Sequence, residues 1–330
     1  MRNEKQSNKI VSHSRLSIAQ ASIKSAQLDR DTVIVSGGLD WEHKNIRQIY
    51  HLKKKYGFKY ISIVYDLIPV YLPHYVVPHY VTLLKEYFGE LLWTSDGCLC
   101  ISEATRKDLL RYREENGADA FPAEVFPLGT DLADEGEKDG IPADLISKQY
   151  VLYVSTIEPR KNHRTAYEAW CHGLLSGKLD PDLHRLVFVG RQGWNVSELL
   201  HEIQTNPITK GTIKVLSNVS DAHLKALYRN SAFTIFPSHF EGFGLPLAES
   251  FANGKACITS GAGALGEIGT GFRIDVNARD VLGWSTAISD LLFEPERLRG
   301  LEIMIANEFK PDSWDNSAKA FFAALVRMAT

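Results

Sequence analysis

Cysteine is scarce in this chain of 330 residues: there are four, Cys98, Cys100, Cys171 and Cys257. Their spacing gives neither a disulfide framework nor a zinc pattern, which points to free thiols in a reducing compartment. Cys98 and Cys100 alternate along an expected strand and so share one face of a sheet, but partners at metal-site spacing are missing. Neither sign of charge is in excess. The 37 Lys and Arg residues against 40 Asp and Glu leave a net charge of −3, which argues against nucleic acid as the main partner. No apolar run reaches the ~18 residues that a bilayer span requires. The amino terminus, Met1 to Ser7, is polar and no signal-peptide core follows it, so a cytoplasmic protein is expected.

What is present is an ordinary globular composition, 44% hydrophobic, at a length that suits two domains of ~100–200 residues each. Apolar strand-like runs alternate with helical periodicity throughout, the pattern of an α/β protein with parallel sheets. Strands are expected at Thr32–Ser36, Tyr60–Tyr65, Gly97–Ile101 and Ala123–Gly129, then at Tyr150–Val154, Leu186–Gly190, Val215–Leu216, Ala232–Phe236 and Ala256–Ser260. Thr130 to Ser147 is acidic, bears Gly and Pro and lacks apolar periodicity, which is linker composition. The expected division is therefore a domain over 1–130, a linker over 131–147, a second domain over 148–308 and a terminal helix over 309–330. Residues 1–30 show only a weak helical pattern, through Leu16, Ile18, Ala19, Ile23 and Ala26.

The central block is Phe236-Pro237-Ser238-His239-Phe240-Glu241-Gly242-Phe243-Gly244-Leu245-Pro246-Leu247-Ala248-Glu249. A buried strand stops at Pro237, and a helix running from Pro246 to Ala252 closes at Asn253-Gly254. The carboxyl end of a strand thus feeds a helix amino end, the place where open α/β sheets bind ligands. Gly242 and Gly244 would let backbone approach a ligand that any Cβ would block. Glu241 and Glu249 flank this anion-binding corner; beside a diphosphate they are better read as acceptors for sugar and ribose hydroxyls, so the ligand suggested is a nucleotide-sugar. Upstream, Glu158-Pro159-Arg160-Lys161-Asn162 occupies an equivalent strand exit in the same lobe. Arg160 and Lys161 there would neutralise a diphosphate leaving group. Arg191, in the exit loop after Val189, and Trp194 face the same side by topology.

With these residues in place, the chain resembles the retaining nucleotide-sugar glycosyltransferases of the GT-B fold, family 4, from about Thr32 to the end and most strongly between Val151 and Glu267. The resemblance implies two Rossmann-like doubly wound lobes facing across a cleft, an amino lobe for the acceptor and a carboxy lobe for the donor. It implies donor contacts from the loop Gly242, Phe243, Gly244 and Leu245, from Glu249 to the ribose, and from Asn218 and Val219 near the base. Thr156 faces the donor where many relatives carry Arg. It implies no metal and no cofactor. Retention is then explained by the departing phosphate taking the acceptor's proton on the same face of the sugar. Asp66, in Asp66-Leu67-Ile68-Pro69, is the candidate acceptor contact, with an Asp-capped turn as the alternative; Tyr65 stands where relatives have His. His74 is a weaker candidate. Ser102 is read chiefly as an N-cap. The terminal stretch from Ser313 resembles the helix that relatives pack back across the amino lobe.

The Arg160-Lys161-Asn162 variant is similar to bacterial mannosyltransferases of polysaccharide assembly. The expected activity is transfer of a sugar, with GDP-mannose as the first donor considered, to a glycan or polyprenyl-diphosphate-linked acceptor. From His43 to Tyr65 there are six Lys or Arg and no acidic residue. This is either a solvated helix face or a footprint for peripheral contact, over 43–59, with anionic lipid on the inner face of the membrane. A non-catalytic nucleotide-sugar-binding subunit is the alternative function. A dehydrogenase is set aside because Gly242-Phe243-Gly244-Leu245-Pro246-Leu247 lacks the third glycine of a dinucleotide fingerprint.

Overall fold

Two parallel sheets, each fed by alternating strands and helices, carry the chain, and their exit loops face one another. The computed structural model describes residues 27–38, 40–43, 45–130 and 140–329. The helical pattern within residues 1–26 and most of the expected linker, 131–139, lie outside the described residues.

The amino lobe runs β1 (Val33–Ser36), α1 (Asp40–His43), α2 (Ile46–Tyr56), β2 (Lys59–Val64), α3 (Ile68–Tyr71), α4 (Pro78–Thr94), β3 (Gly97–Cys100), α5 (Glu103–Glu115) and β4 (Ala123–Val125). Its sheet has the order β1-β2-β3-β4, with all strands parallel. Local chemistry sets the helix limits. Asn45 caps α2 by accepting from the Gln48 N–H at 3.0 Å, and Gly57 ends it in the left-handed region at φ 82°. Ser102 caps α5 by accepting from the Thr105 N–H at 3.1 Å.

The carboxy lobe runs β5 (Gln149–Val154), α6 (His163–Leu175), β6 (His184–Val189), α7 (Ser197–Thr205), β7 (Ile213–Leu216), α8 (Asp221–Asn230), β8 (Phe233–Phe236), α9 (Leu245–Ala252), β9 (Cys257–Thr259), β10 (Arg273–Asp275), α10 (Val281–Phe293) and α11 (Pro295–Glu308). Its parallel sheet has the order β10-β9-β8-β5-β6-β7. The chain winds from β5 to β6 and β7 in one direction, then restarts at β8 and winds the other way. The order therefore reverses between β5 and β8, and the exit loops of those two strands part there to leave a crevice. The four described strands of the amino lobe step in one direction only.

Both sheets are buried on both faces, as parallel sheets require. In β5 the period of two sends Val151 and Tyr153 into one core and Tyr150 and Leu152 into the other. In the amino lobe, Cys98 and Cys100 pack with Tyr60, Val64 and Leu91 under α4. Burial pushes the Cys98 thiol well up and the Cys100 thiol to about 12, so both stay protonated and inert. The opposite face of that sheet, Ile61, Leu99 and Ile101, is covered by the last helix, α12 (Trp314–Ala329), through Ala324 and Met328.

The basic stretch is tied into the molecule in part. Lys53 bonds Asp96 at 2.7 Å and the Thr94 carbonyl at the end of α4, Arg47 pairs with Glu90, and Lys59 reaches the Ala329 carbonyl at 2.5 Å. Lys54 and Lys55 stay exposed; Lys44 lies outside the described residues.

Candidate functional site

The crevice between β5 and β8 is built from two loops tied to each other. After β5 the chain turns tightly at Pro159–Lys161 and passes through Asn162 at φ 60°. Asn162 is buried, and its side-chain amide donates to the Pro237 carbonyl at 3.0 Å and the Ala278 carbonyl at 2.7 Å. The His239 N–H bonds the Arg160 carbonyl at 2.9 Å. These ties hold Arg160 and Lys161 against the loop that follows β8. Glu241 is 6% exposed and Glu158 5% exposed, so both carboxylates are effectively out of water.

Four charges then close on one another. Lys161 Nζ donates to Glu241 Oε1 at 2.6 Å; Arg160 donates to Glu241 Oε2 at 2.8 Å, to the Phe240 carbonyl at 2.9 Å and to Glu158 Oε1 at 2.8 Å. Burial alone would raise the Glu241 carboxyl, but Lys161 and Arg160 outweigh it and bring the group to about 2. Burial would lower the Arg160 guanidinium, yet Glu241 and Glu158 hold it above its ordinary value. Glu158 is pushed up by burial, with Arg160 opposing. Two cations and two anions thus balance at the head of the crevice.

Asp66, at the exit of β2 in the amino lobe, faces this cluster. Burial raises its carboxyl, against the fields of Arg160 and Lys161. Its Oδ1 also accepts from the Ile68 N–H at 3.0 Å, so the Asp caps the next turn while facing the cleft. One cavity of about 360 Å³ on this side brings Asp66, Glu158, Arg160 and Arg191 together with the aromatic faces of Trp41 and Trp194. A second, of about 730 Å³, is mostly apolar: Lys161 and Glu241 lie at its polar end, with Phe243, Leu245, Trp314 and Phe321 as walls.

The room at Gly242 is taken by the amino lobe rather than left for a ligand: a Cβ there would stand 2.6 Å from the Tyr65 carbonyl and 2.9 Å from Asp66 Cβ. The Gly242 carbonyl accepts from Ser102 Oγ at 2.6 Å, so Ser102 caps its helix and also bridges the lobes. Gly244 adopts φ 103°, and a Cβ there would meet Leu265 at 2.7 Å, so its constraint comes from packing under α9. Glu249 is half-buried and its Oε2 accepts from the Tyr228 hydroxyl at 3.0 Å; burial raises its carboxyl. Asn218 is exposed at φ 55° in the loop after β7, and Val219 packs toward Leu227 and Tyr228. Thr156 is half-buried beside Gly193.

The sequence carries no sign of Glu158 as a charge partner, and it marks Glu267 only as the end of a loop that matches the family pattern, not as a contact to the other lobe. Glu267, from the carboxy lobe, accepts from the Glu103 N–H at 3.0 Å and the Ala104 N–H at 2.5 Å, at the amino end of α5. Among the described residues no cluster of three or more His, Cys, Asp or Glu is placed to hold a metal ion. No described helix is long and apolar enough to cross a membrane.

Residues 142–298, the lobe that holds the charge cluster, match the family profile described as glycosyl transferases group 1. The chain is similar to the serotype-specific mannosyltransferase WbdA of Escherichia coli, 29% identical over 204 residues, which is 57% of this chain and 24% of that protein. It is also similar to O-antigen chain mannosyltransferase B of Escherichia coli, 23% identical over 264 residues, covering 79% of this chain and 64% of that one. The chain therefore spans about a quarter of the length of the first of these relatives. Among solved structures, a UDP-forming α,α-trehalose-phosphate synthase from Burkholderia xenovorans superposes with a TM-score of 0.71 at 15% identity, over 92% of this chain and 75% of that one. Two parallel sheets flanked by helices, with neighbours of this kind, make the fold GT-B.

Proposed function

We propose, from the premise that residues 142–298 are a glycosyl transferases group 1 domain, that this chain moves a hexosyl group from a nucleotide-sugar to a glycan or polyprenyl-diphosphate-linked glycan in surface polysaccharide biosynthesis. GDP-mannose is the donor proposed first; two of the similar proteins are named mannosyltransferases. The observation that carries the reading is the pair Arg160 and Lys161 closing on buried Glu241 at the point where the order of the carboxy-lobe sheet reverses.

A donor diphosphate entering the crevice competes with Glu241 for Lys161 and Arg160. As the glycosidic bond breaks, negative charge grows on the leaving phosphate, and the two cations stabilise it without metal. Glu241, relieved of one partner, accepts hydroxyl hydrogen bonds from the donor sugar. Asp66 approaches from the amino lobe and takes the acceptor side. Retention follows when the leaving phosphate receives the acceptor's proton on the face it departs from. The basic residues exposed on α2, Arg47, Lys54 and Lys55, are the part of the 43–59 stretch that would meet anionic lipid.

One observation favours a second reading, a nucleotide-sugar-binding subunit without turnover: the cations are already satisfied by Glu241 and Glu158. A panel of nucleotide-sugars separates the two. A saturating donor at ~100 times its dissociation constant adds ~2.7 kcal/mol of stability in a thermal shift, and product formation is then followed with that donor. Binding without transfer or hydrolysis selects the subunit. No shift with any nucleotide-sugar removes both readings.

A further inference from the structure

Beside the Arg160 and Glu241 pair, at the edge of the same cleft, lies a third cavity of about 380 Å³, lined from both lobes. The amino lobe contributes His74 and Tyr75 from the segment after α3, and the carboxy lobe contributes His239, Ser260 and Arg279 from the exits of β8, β9 and β10. Its lining holds three basic side chains and no acidic one. The Tyr75 ring stacks on the His239 imidazole at 4.8 Å and 12°, and its other neighbour is the His74 ring at 4.1 Å, so one aromatic fixes both imidazoles at the cavity wall. Among the described residues no carboxylate bonds either imidazole or the Arg279 guanidinium. The groups act on one another instead: His239 is held below its ordinary value by burial, then by Arg279, then by His74. The one permanent charge of the lining, Arg279, thus has no carboxylate partner among the described residues, and an anion in the cavity would supply one.

We infer that this cavity binds a phosphate group of the acceptor. A phosphate suits the lining because it can take two parallel hydrogen bonds from Arg279 and further ones from imidazole N–H groups. The donor's diphosphate is not the occupant in this assignment, since Arg160, Lys161 and Arg191 line the neighbouring cavities and not this one. The lining also draws on the amino lobe, where the acceptor is proposed to enter. Distance fits as well. His239 is two residues before Glu241, so the backbone separates them by at most about 7 Å, which sets the bound phosphate next to the reacting corner. The identity of the ligand as an acceptor rests on the proposed transfer reaction; the anion site itself does not. A phosphorylated soluble sugar and a lipid-linked sugar diphosphate share this chemistry.

The test is a titration with inorganic phosphate, read by the side-chain nitrogen resonances of His74 and His239 in the intact protein, with GDP binding measured in parallel by calorimetry. Saturable shifts at both imidazoles, with the His239 pKa rising on binding, are expected. Arg279→Gln should weaken phosphate about tenfold, the loss of a charged hydrogen bond, while GDP affinity stays within about twofold. Silent imidazoles at saturating phosphate, or wild-type phosphate affinity in Arg279→Gln, overturn the assignment. Farnesyl diphosphate and mannose 1-phosphate then distinguish the sources: tighter binding of the former points to a lipid-linked acceptor, and of the latter to a soluble sugar phosphate. A protein whose imidazoles respond to phosphate but which binds no nucleotide keeps this site and sinks the transfer reading.

Discussion

Lys161 Nζ stands 2.6 Å from Glu241 Oε1 although the two are 80 residues apart in the chain, and Arg160 holds the other oxygen of the same buried carboxylate at 2.8 Å. The contact joins the exits of β5 and β8, the two strands at which the winding of the sheet reverses. It also makes removal of the carboxylate a different experiment from neutralising it, because two half-buried cations, Lys161 and Arg160, bond that one buried group.

Glu241→Ala should therefore damage the fold as well as the chemistry, since a buried pair broken from one side costs about 3–5 kcal/mol. Glu241→Gln keeps the volume and the hydrogen-bonding oxygen and is the informative variant. Transfer should fall about a hundredfold or more in Glu241→Gln, with urea denaturation showing it more stable than Glu241→Ala. A wild-type rate in Glu241→Gln would take Glu241 out of the reaction.

Gly242→Ala probes the joint between lobes. Its added methyl would press on the Tyr65 carbonyl and Asp66 Cβ while neither lobe's own core is touched. Both lobes should keep their secondary structure, while hydrogen exchange at the Glu103 and Ala104 amides, now held by Glu267, should accelerate. Unchanged protection at those amides would show that the lobes absorb the methyl without parting.

These contacts also mark what could be read from the chain and what could not. The end of β8, the cap at Ser102 and the corner at Glu241 follow from apolar periodicity and from residues within three or four positions of each other. Gly242 looked like room for a ligand because the sequence holds no sign that Ser102, 140 residues away, bonds its carbonyl. Glu267 was invisible as a helix cap for the same reason: its partner amides lie 164 and 163 residues upstream, on another lobe. Periodicity reports which face of an element is buried. It says nothing about which face of a second lobe meets it.

A buried histidine gives a pH signature. His163 is 1% exposed beneath Tyr153, and burial followed by Lys161 brings its imidazole down to about 3. The folded state thus binds its proton far more weakly than the unfolded chain, whose His titrates near 6.5. Stability is unaffected above that value and falls as pH drops below it, by about 1.4 kcal/mol per pH unit for one such group. His184 and His239, also lowered, act in the same direction. Between pH 6 and pH 5, a window chosen to lie above the ~4.3 of unfolded Glu, His163→Gln should show a slope shallower by about one proton's worth. Equal slopes in the two proteins would mean that His163 is protonated in the folded state.

The last helix should decide whether the amino lobe stands. Ala324 and Met328 of α12 are buried on Ile61, Leu99 and Ile101, and Phe321 meets Phe126 edge-on at 5.3 Å. Without α12 this face of the parallel sheet would lie open to water, and each large side chain uncovered costs about 1.5–3 kcal/mol. Several such losses approach the ~5–15 kcal/mol that holds a whole domain. The two clusters of the carboxy-lobe core contain no residue of α12. Deleting residues 313–330 should then make the amino lobe the preferred site of limited proteolysis and remove part of the calorimetric unfolding heat, while the carboxy lobe resists cleavage. An amino lobe as protease-resistant as in the full chain would show that its sheet is stable with one face bare, and α12 would then serve only to wall the cavity at Trp314 and Phe321.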